Sequence, residues 1–196
     1  DDFFKHLLML ALRPSAPQPI LSEILRIFSF FAATMRVELK LQLEVFFERL
    51  VFAALGGGRK DSPLVPLVLD TLTDLSYDSS FLVDLYVNYD CDPQRSDLME
   101  TLYKLLSELV LGDVAVSTQA AQALRIMYNG IKCIDNRIDA KLEEQQRAID
   151  EGLGVEEEPG AAREECPYHI SPQMLWEAKL KKRTLQKGAL VFNQSA

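Results

Sequence analysis

Residues 36–55 read RVELKLQLEVFFERLVFAAL, and their apolar residues recur at the spacing of an α-helix. On a wheel of 100° per residue, one apolar face consists of Leu39, Leu43, Phe46, Leu50 and Ala53. A second apolar face consists of Leu41, Val45 and Phe52, and it is separated from the first by Glu38, Gln42 and Arg49. A helix with two apolar faces lies between neighbours. An open stack of helices, as in armadillo or HEAT arrays, explains it better than a closed four-helix bundle.

The helical period continues on both sides of this segment, and no segment alternates in the way a strand does. Further helices are predicted over about residues 2–12, 20–34, 64–75 and 79–87. Beyond them, one apolar stripe consists of Leu98, Leu102, Leu105 and Leu109, and another of Ala120, Leu124, Met127, Ile131, Ile134 and Ile138. Short loops between such helices imply antiparallel neighbours. The predicted fold is all-α: an irregular armadillo- or HEAT-like stack of antiparallel helices.

The chain divides into three parts by composition. Residues 1–140 are predicted to form the helical domain. Residues 141–170 are acidic, poor in apolar residues and interrupted by glycine and proline, which predicts a disordered linker. Residues 171–196 begin with Ser171-Pro172, a helix-start pattern, and carry a basic run of Lys179, Lys181, Lys182, Arg183 and Lys187. We expect this last helix to dock on a following domain, with an anionic membrane surface as the alternative.

Composition excludes several classes of function. The 196 residues carry a net charge of −8 without a basic stripe, which argues against nucleic acid as a partner. Cys91, Cys133 and Cys166 are far apart and form no CxxC pair, so neither a disulfide framework nor a zinc site is indicated. Reduced thiols fit a cytoplasmic protein. Charged residues interrupt the most apolar segment, residues 27–55, which excludes a membrane span there.

Catalytic patterns are missing from the sequence. His6 and His169 are the only histidines and lie near opposite ends of the chain, so no nucleophile–histidine pair is supported. The run Gly56-Gly57-Gly58-Arg59-Lys60 lacks the spacing of a phosphate-binding loop. We therefore expect no catalytic residue, no cofactor and no metal site.

Residues 85–92, LYVNYDCD, place polar and aromatic groups between two apolar helical segments. We call the candidate site residues within them the box: Tyr86, Asn88, Tyr89, Asp90, Cys91 and Asp92. In one interpretation the box is structural, with Asp92 as an N-cap before Pro93 and with Ser96 or Asp97 as rival caps. Asn88 and Asp90 would bond open backbone groups, and the tyrosine rings would pack inward. In the other interpretation the box also shapes a docking surface, and the two roles are compatible.

Three segments in the same order carry a family resemblance: residues 36–44, the box, and residues 97–107. Together they resemble the HUS domain, which lies upstream of the catalytic domain in the large Arf-family guanine-nucleotide exchange factors of the Golgi. Residues 97–107 are more similar to the GBF/Gea branch, whereas residues 43–47 are more similar to the BIG branch. Residues 182–194 resemble the beginning of the catalytic exchange domain of the same family.

The resemblance implies a non-catalytic regulatory domain of a protein that promotes GDP release from an Arf-family GTPase. It implies contacts with the upstream dimerisation domain, through the box, and with the adjacent catalytic exchange domain. It also implies a cytoplasmic location with peripheral association with Golgi membranes. The start at Asp1 without methionine suggests a piece of a longer protein. A stand-alone helical-repeat adaptor that binds a partner peptide is the alternative, and residues beyond Ala196 would distinguish the two.

Overall fold

The computed structural model describes residues 2–13, 16–57, 62–112, 117–150 and 172–194, and within these ranges the regular structure is helical, without a strand. In chain order the elements are α1 (Asp2–Ala11), α2 (Gln18–Thr34), α3 (Lys40–Phe46), a π-helical turn π1 (Phe47–Phe52), α4 (Ala53–Gly56), α5 (Leu64–Ser76), α6 (Phe81–Leu85), a second π-helical turn π2 (Tyr86–Asp90), α7 (Leu98–Leu111), α8 (Ser117–Asp150) and α9 (Pro172–Gln194). The prediction of an all-α helical stack is confirmed.

The core lies along a series of packed helices: α1 packs on α2, α2 on α5, α5 on α8, and α8 on α7. Aromatic rings fill the space between α2 and the α3–π1 segment. Phe28 stacks on Phe46 with ring centroids 4.3 Å apart, and it meets Phe47 edge-on at 5.6 Å. Such ring pairs add to the free energy gained by removing their apolar area from water. The core thereby fixes α3 and π1, which border the box.

The two apolar faces predicted for residues 36–55 are correct only in part. Leu43, Phe46 and Leu50 are buried as expected. Leu41 and Val45, assigned to the second face, are 54% and 37% exposed, and the half-buried Phe52 packs against the core. The wider turn of π1 changes which residues face the core from Phe47 onward: Phe47 and Val51 are buried, whereas Ala53, assigned to the first face, is exposed.

The apolar stripe predicted for α8 is shifted by about one residue. The buried side chains are Ala123, Ile126 and Cys133, whereas Leu124, Ile131 and Ile134 are 48–62% exposed. Gly130 lies on the buried face, where an added Cβ would overlap the Tyr103 hydroxyl and lie 2.9 Å from Leu82. This close approach of α7 and α6 leaves room only for glycine at this position of α8. The side chain of Ile138 lies outside the described residues.

The expected linker begins later than the sequence predicts, because α8 is helical through Asp150 and so includes residues 141–150. Residues 151–171 lie outside the described residues, so their assignment as a linker stays a prediction. α9 begins at Pro172, where the sequence pattern placed a helix start. Among the described helices, none is both long and apolar enough to cross a bilayer.

Candidate functional site

The box lies where α6 changes its hydrogen-bonding pattern. The π2 turn follows α6 directly, and the Cys91 N–H donates to the Tyr86 carbonyl at 3.0 Å, five residues back. π-Helical turns are rare and often occur at functional sites. Four of the six box residues are buried: Asn88, Tyr89, Asp90 and Cys91. The box is therefore part of the packed interior, with only Tyr86 and Asp92 half-exposed.

Asp90 caps α7 from a distance. Its side chain is fully buried, and its carboxylate accepts the Met99 N–H at 2.8 Å and the Glu100 N–H at 3.0 Å. These are two of the donors that a helix start leaves without an intrahelical acceptor. Burial raises the pKa of Asp90, and the two N–H groups oppose that shift. The helix dipole favours a carboxylate at this position.

The remaining box residues anchor the turn to its surroundings. The Tyr89 hydroxyl donates to the Lys40 carbonyl at 3.0 Å, and the Asn88 amide donates to the Asp84 carbonyl at 2.8 Å. The Cys91 thiol is buried beside Tyr86, and burial raises its pKa. The Tyr89 bond connects π2 with the start of α3, 49 residues away in sequence, and the other contacts hold the turn locally.

The expectation that Asp92 caps a helix is wrong. α7 begins at Leu98, and the Asp92 carboxylate instead accepts the Gln94 N–H at 2.9 Å within the preceding turn. Asp97, a predicted rival, occupies the N-cap position but makes no capping bond with its side chain. The reason is electrostatic: Asp97 is engaged by the lysines of α9.

Three ion pairs that the sequence did not reveal connect α3 and the segment before it with the segments on either side of the box. Glu44, buried on α3, accepts the Ser96 N–H at 2.6 Å and the Arg95 guanidinium at 3.0 Å. Arg36, just before α3, pairs with Asp84 at 2.7 Å and with Asp78 at 2.8 Å. Partners about 50 residues apart leave no periodic signal in a single sequence.

α9 docks on the box through two lysines. The Lys179 ammonium lies 2.7 Å from Asp97, 3.1 Å from Glu100 and 3.4 Å from Asp90. The Lys182 ammonium donates to the Tyr89 carbonyl at 2.7 Å and lies 3.0 Å from Asp97. Both side chains are almost completely buried. The helix expected to dock on a following domain thus packs on the box of its own domain.

The lysines and the carboxylates around them shift one another's pKa values. Burial alone would raise the pKa of Asp97, but hydrogen bonds from Lys179, Gln186 and Lys182 lower it to about 2. Burial would lower the pKa of Lys179, but its bonds to Asp97 and Glu100 raise it. Oxygens of Asp90, Asp97 and Glu100 come close enough together to hold a metal ion, but the Lys179 ammonium takes the cation's place.

A cavity of about 540 Å3 lies between α7, π2 and α9. Its apolar walls are Tyr86, Met99, Tyr103, Trp176 and Leu180, and its polar lining is Asp90, Glu100, Lys179 and Arg183. The Lys179 ammonium lies 5.9 Å from the centroid of the Tyr86 ring, within range of a cation–π interaction. The site therefore combines an aromatic surface with a buried ionic cluster, and its chemistry suits binding.

One signal in the sequence could have revealed the docking of α9. Lys179, Lys182, Arg183 and Gln186 recur at i, i+3, i+4 and i+7, which places them on one face of the helix. An acidic group of similar size, Asp90, Asp97 and Glu100, surrounds the start of α7. Their pairing is not readable from spacing alone, because 82 residues separate Lys179 from Asp97.

Comparison with known proteins identifies related chains. Residues 1–98 match the family model described as Mon2/Sec7/BIG1-like, HUS domain, a segment that includes the whole box. Human brefeldin A-inhibited guanine nucleotide-exchange protein 1 is 30% identical over 112 residues, which cover 56% of this chain and 6% of that protein. The ARF guanine-nucleotide exchange factor GNL2 of Arabidopsis thaliana is 29% identical over 203 residues, covering 98% of this chain and 14% of that protein.

A third relative, the Arabidopsis thaliana ARF guanine-nucleotide exchange factor GNOM, is 33% identical over 109 residues, or 55% of this chain and 7% of its own length. The chain thus spans only 6% to 14% of the length of these relatives. No solved structure matches the chain significantly. The GBF/Gea and BIG branches are not distinguished by these matches.

Proposed function

The chain belongs to the Mon2/Sec7/BIG1-like HUS-domain family, and we propose that it is a non-catalytic regulatory and protein-interaction domain of a large Arf guanine-nucleotide exchange factor. Its parent protein would catalyse nucleotide exchange on an Arf-family GTPase during Golgi vesicle trafficking. It would act from the cytoplasm while associated peripherally with Golgi membranes. The proposal is supported by relatives of 29% to 33% identity that are named as guanine-nucleotide exchange factors.

One observation carries the proposed mechanism: the lysines of α9 tie that helix to the box. Residues 182–194 of α9 resemble the beginning of the exchange domain, so a helix held by the box would set where that domain starts. Lys182 is 1% exposed and contacts a backbone carbonyl, so its position depends on the backbone of π2. The domain would position the exchange domain through this contact.

The proposed contact with the upstream dimerisation domain involves the box less directly. Because Asn88, Tyr89, Asp90 and Cys91 are buried, they would shape the docking surface and leave the contact to exposed neighbours. Asp90→Ala should then weaken binding of the dimerisation domain even at a temperature at which the variant is folded. A binding titration paired with a thermal melt of the same sample separates loss of contact from loss of fold.

Nucleotide-release assays test the proposed coupling. The isolated chain should leave the release of fluorescent GDP from Arf at its intrinsic rate. In the parent protein, Lys179→Glu/Lys182→Glu should change the exchange rate, because it detaches α9 from the box. The control Lys181→Glu/Lys187→Glu changes the net charge equally at two exposed lysines. Faster GDP release in the presence of the isolated chain would contradict the proposal. Equal exchange rates for the Lys179→Glu/Lys182→Glu and Lys181→Glu/Lys187→Glu variants of the parent protein would also contradict it.

A further inference from the structure

α9 is held in place more by the ammonium groups of its lysine side chains than by its apolar side chains. Among its described side chains only Lys179 and Lys182 are buried, while Met174, Trp176, Leu180 and Leu185 are 49–64% exposed. α2, in contrast, buries five residues, four of them large and apolar. Gln186 and Arg183 add polar contacts to Asp97 and Glu100 at 2.7 and 3.5 Å. The outer pair of Arg183 and Glu100 is more than half exposed and weakens with salt, and α9 buries little apolar area that would oppose its detachment.

The surface beneath α9 attracts cations. Carboxylate oxygens of Asp90, Asp97 and Glu100 lie within 4.8 Å of one another, next to the Tyr89 carbonyl. Without the lysine ammonium groups, like charges at this distance would repel one another. Tyr86, Met99 and Tyr103 border the same surface and offer apolar contact. These features match a helix that carries lysines on one face and apolar residues beside them.

The backbone beneath α9 and the Asp90 side chain are held in place by the rest of the domain. Asp90 is fixed by the N–H groups of Met99 and Glu100, and Glu44 fixes the turn before α7 through Arg95 and Ser96. None of these bonds involves α9. Detachment of α9 would therefore uncover a preformed acidic and aromatic surface, with no need to unfold π2 or α7.

We propose that α9 is a reversible occupant of this surface and that the surface accepts, in its place, a basic helix of a partner with lysines at i and i+3. The two occupants exclude each other, because both need Asp97 and the Tyr89 carbonyl. The inference deepens the proposed function, on which it rests for the role of the box as a docking site. A tethered helix acts at an effective concentration near the millimolar range, so a partner must bind strongly or α9 must first be weakened.

A peptide with the sequence of α9 tests the competition directly. A fluorescein-labelled peptide of residues 172–194 is titrated with the full chain and followed by anisotropy. The wild-type chain should bind it at least about 10-fold more weakly than Lys179→Glu/Lys182→Glu, whose own α9 no longer occupies the surface. The chain with Lys181→Glu/Lys187→Glu should behave like the wild type. A peptide with the Lys179→Glu and Lys182→Glu changes should bind to none of the chains.

Equal peptide binding by the wild type and the Lys179→Glu/Lys182→Glu chain would overturn the proposal, as would absence of binding to that chain. Neither outcome involves the dimerisation domain or Arf, so failure here is distinct from failure of the proposed function. Trp176, the only tryptophan, lines the cavity and provides a second measurement. Its emission should differ between the wild type and the Lys179→Glu/Lys182→Glu chain, in which α9 no longer occupies the surface; an emission identical in both chains also overturns the proposal.

Discussion

At the scale of single residues, Asp90 has two functions that compete for one carboxylate. It accepts the N–H groups at the start of α7, and it contributes to the ionic cluster around Lys179. Asp92 has the same chemistry two residues later but bonds only to Gln94 in an exposed turn. Burial, rather than residue type, therefore separates a structural carboxylate from a dispensable one.

Asp90→Ala should destabilise the domain more than Asp92→Ala. The first leaves two backbone donors without acceptors, at a cost of about 1–3 kcal/mol for each group that stays buried. The second loses one half-exposed bond, which should cost about 1 kcal/mol or less. Each kcal/mol lowers the melting temperature by roughly 2–4 °C for a domain of this size. Thermal melts followed by circular dichroism check the order, with Asp90→Asn as the control that keeps one acceptor oxygen. Equal melting temperatures for the two alanine variants would refute the capping role.

Gly130→Ala should destabilise the contact between α8 and its neighbours. The new methyl group would overlap the Tyr103 hydroxyl and press on Leu82, and overpacking of this kind typically costs about 1–3 kcal/mol. Tyr103→Phe removes the overlapping oxygen, so the double variant should recover part of the loss. Chemical denaturation measures the free energies of unfolding. A double variant no more stable than Gly130→Ala would show that the hydroxyl is not the obstacle.

At the scale of elements, the two π turns explain where the helical pattern of the sequence fails. π1 rotates the faces of the α3–α4 helix, and π2 turns the box residues into the core. The apolar spacing of residues 36–55 correctly predicts one helix and one buried face. A wheel of 100° per residue assumes regular helix throughout, so it misplaces residues after the start of π1, such as the exposed Ala53. A π turn depends on packing on several sides, which one sequence does not display.

Acid should detach α9 before the domain unfolds. Asp97 has a pKa of about 2 when docked and an ordinary value near 3.8 when free, so its contribution is complete above about pH 4 and lost toward pH 2. Glu100 acts in the same direction, because its bond with Lys179 lowers its pKa. Burial raises the pKa of Asp90, so this carboxylate takes up a proton before Asp97 as the pH falls. Lys179 stays charged throughout, because its carboxylate partners raise its pKa.

Trp176 emission reports this acid transition, and far-UV circular dichroism verifies that the other helices persist. In Asp97→Asn the emission should be shifted already at neutral pH and should change little on acidification. A wild-type emission that is constant from about pH 6 to pH 2 would show that Asp97 does not hold α9.

At the scale of the whole molecule, ionic contacts attach α9 to the start of α7, although residues 151–171 separate α9 from α8 in sequence. The helical domain and α9 are predicted to be joined by a linker, and limited proteolysis tests this division. Because α8 is helical through Asp150, the first cut should fall between residues 151 and 166, where glycine and acidic residues prevail. Mass spectrometry should find a stable fragment ending near residue 150. A first cut at Gly56–Gly57 instead would show that the predicted domain boundary is wrong.

The sequence by itself determined the all-α fold, most helix limits and the box, because helical period, prolines and glycines are local signals. The register of α8 and the choice of buried residues in π1 were decided by tertiary packing, since the close approach at Gly130 and the π-helical turn select which side chains fit. The pairing of Lys179 and Lys182 with Asp90, Asp97 and Tyr89 was also decided there. The attraction between two opposite charges depends on their distance in space and not on their separation in sequence, so only the folded arrangement selects the partner.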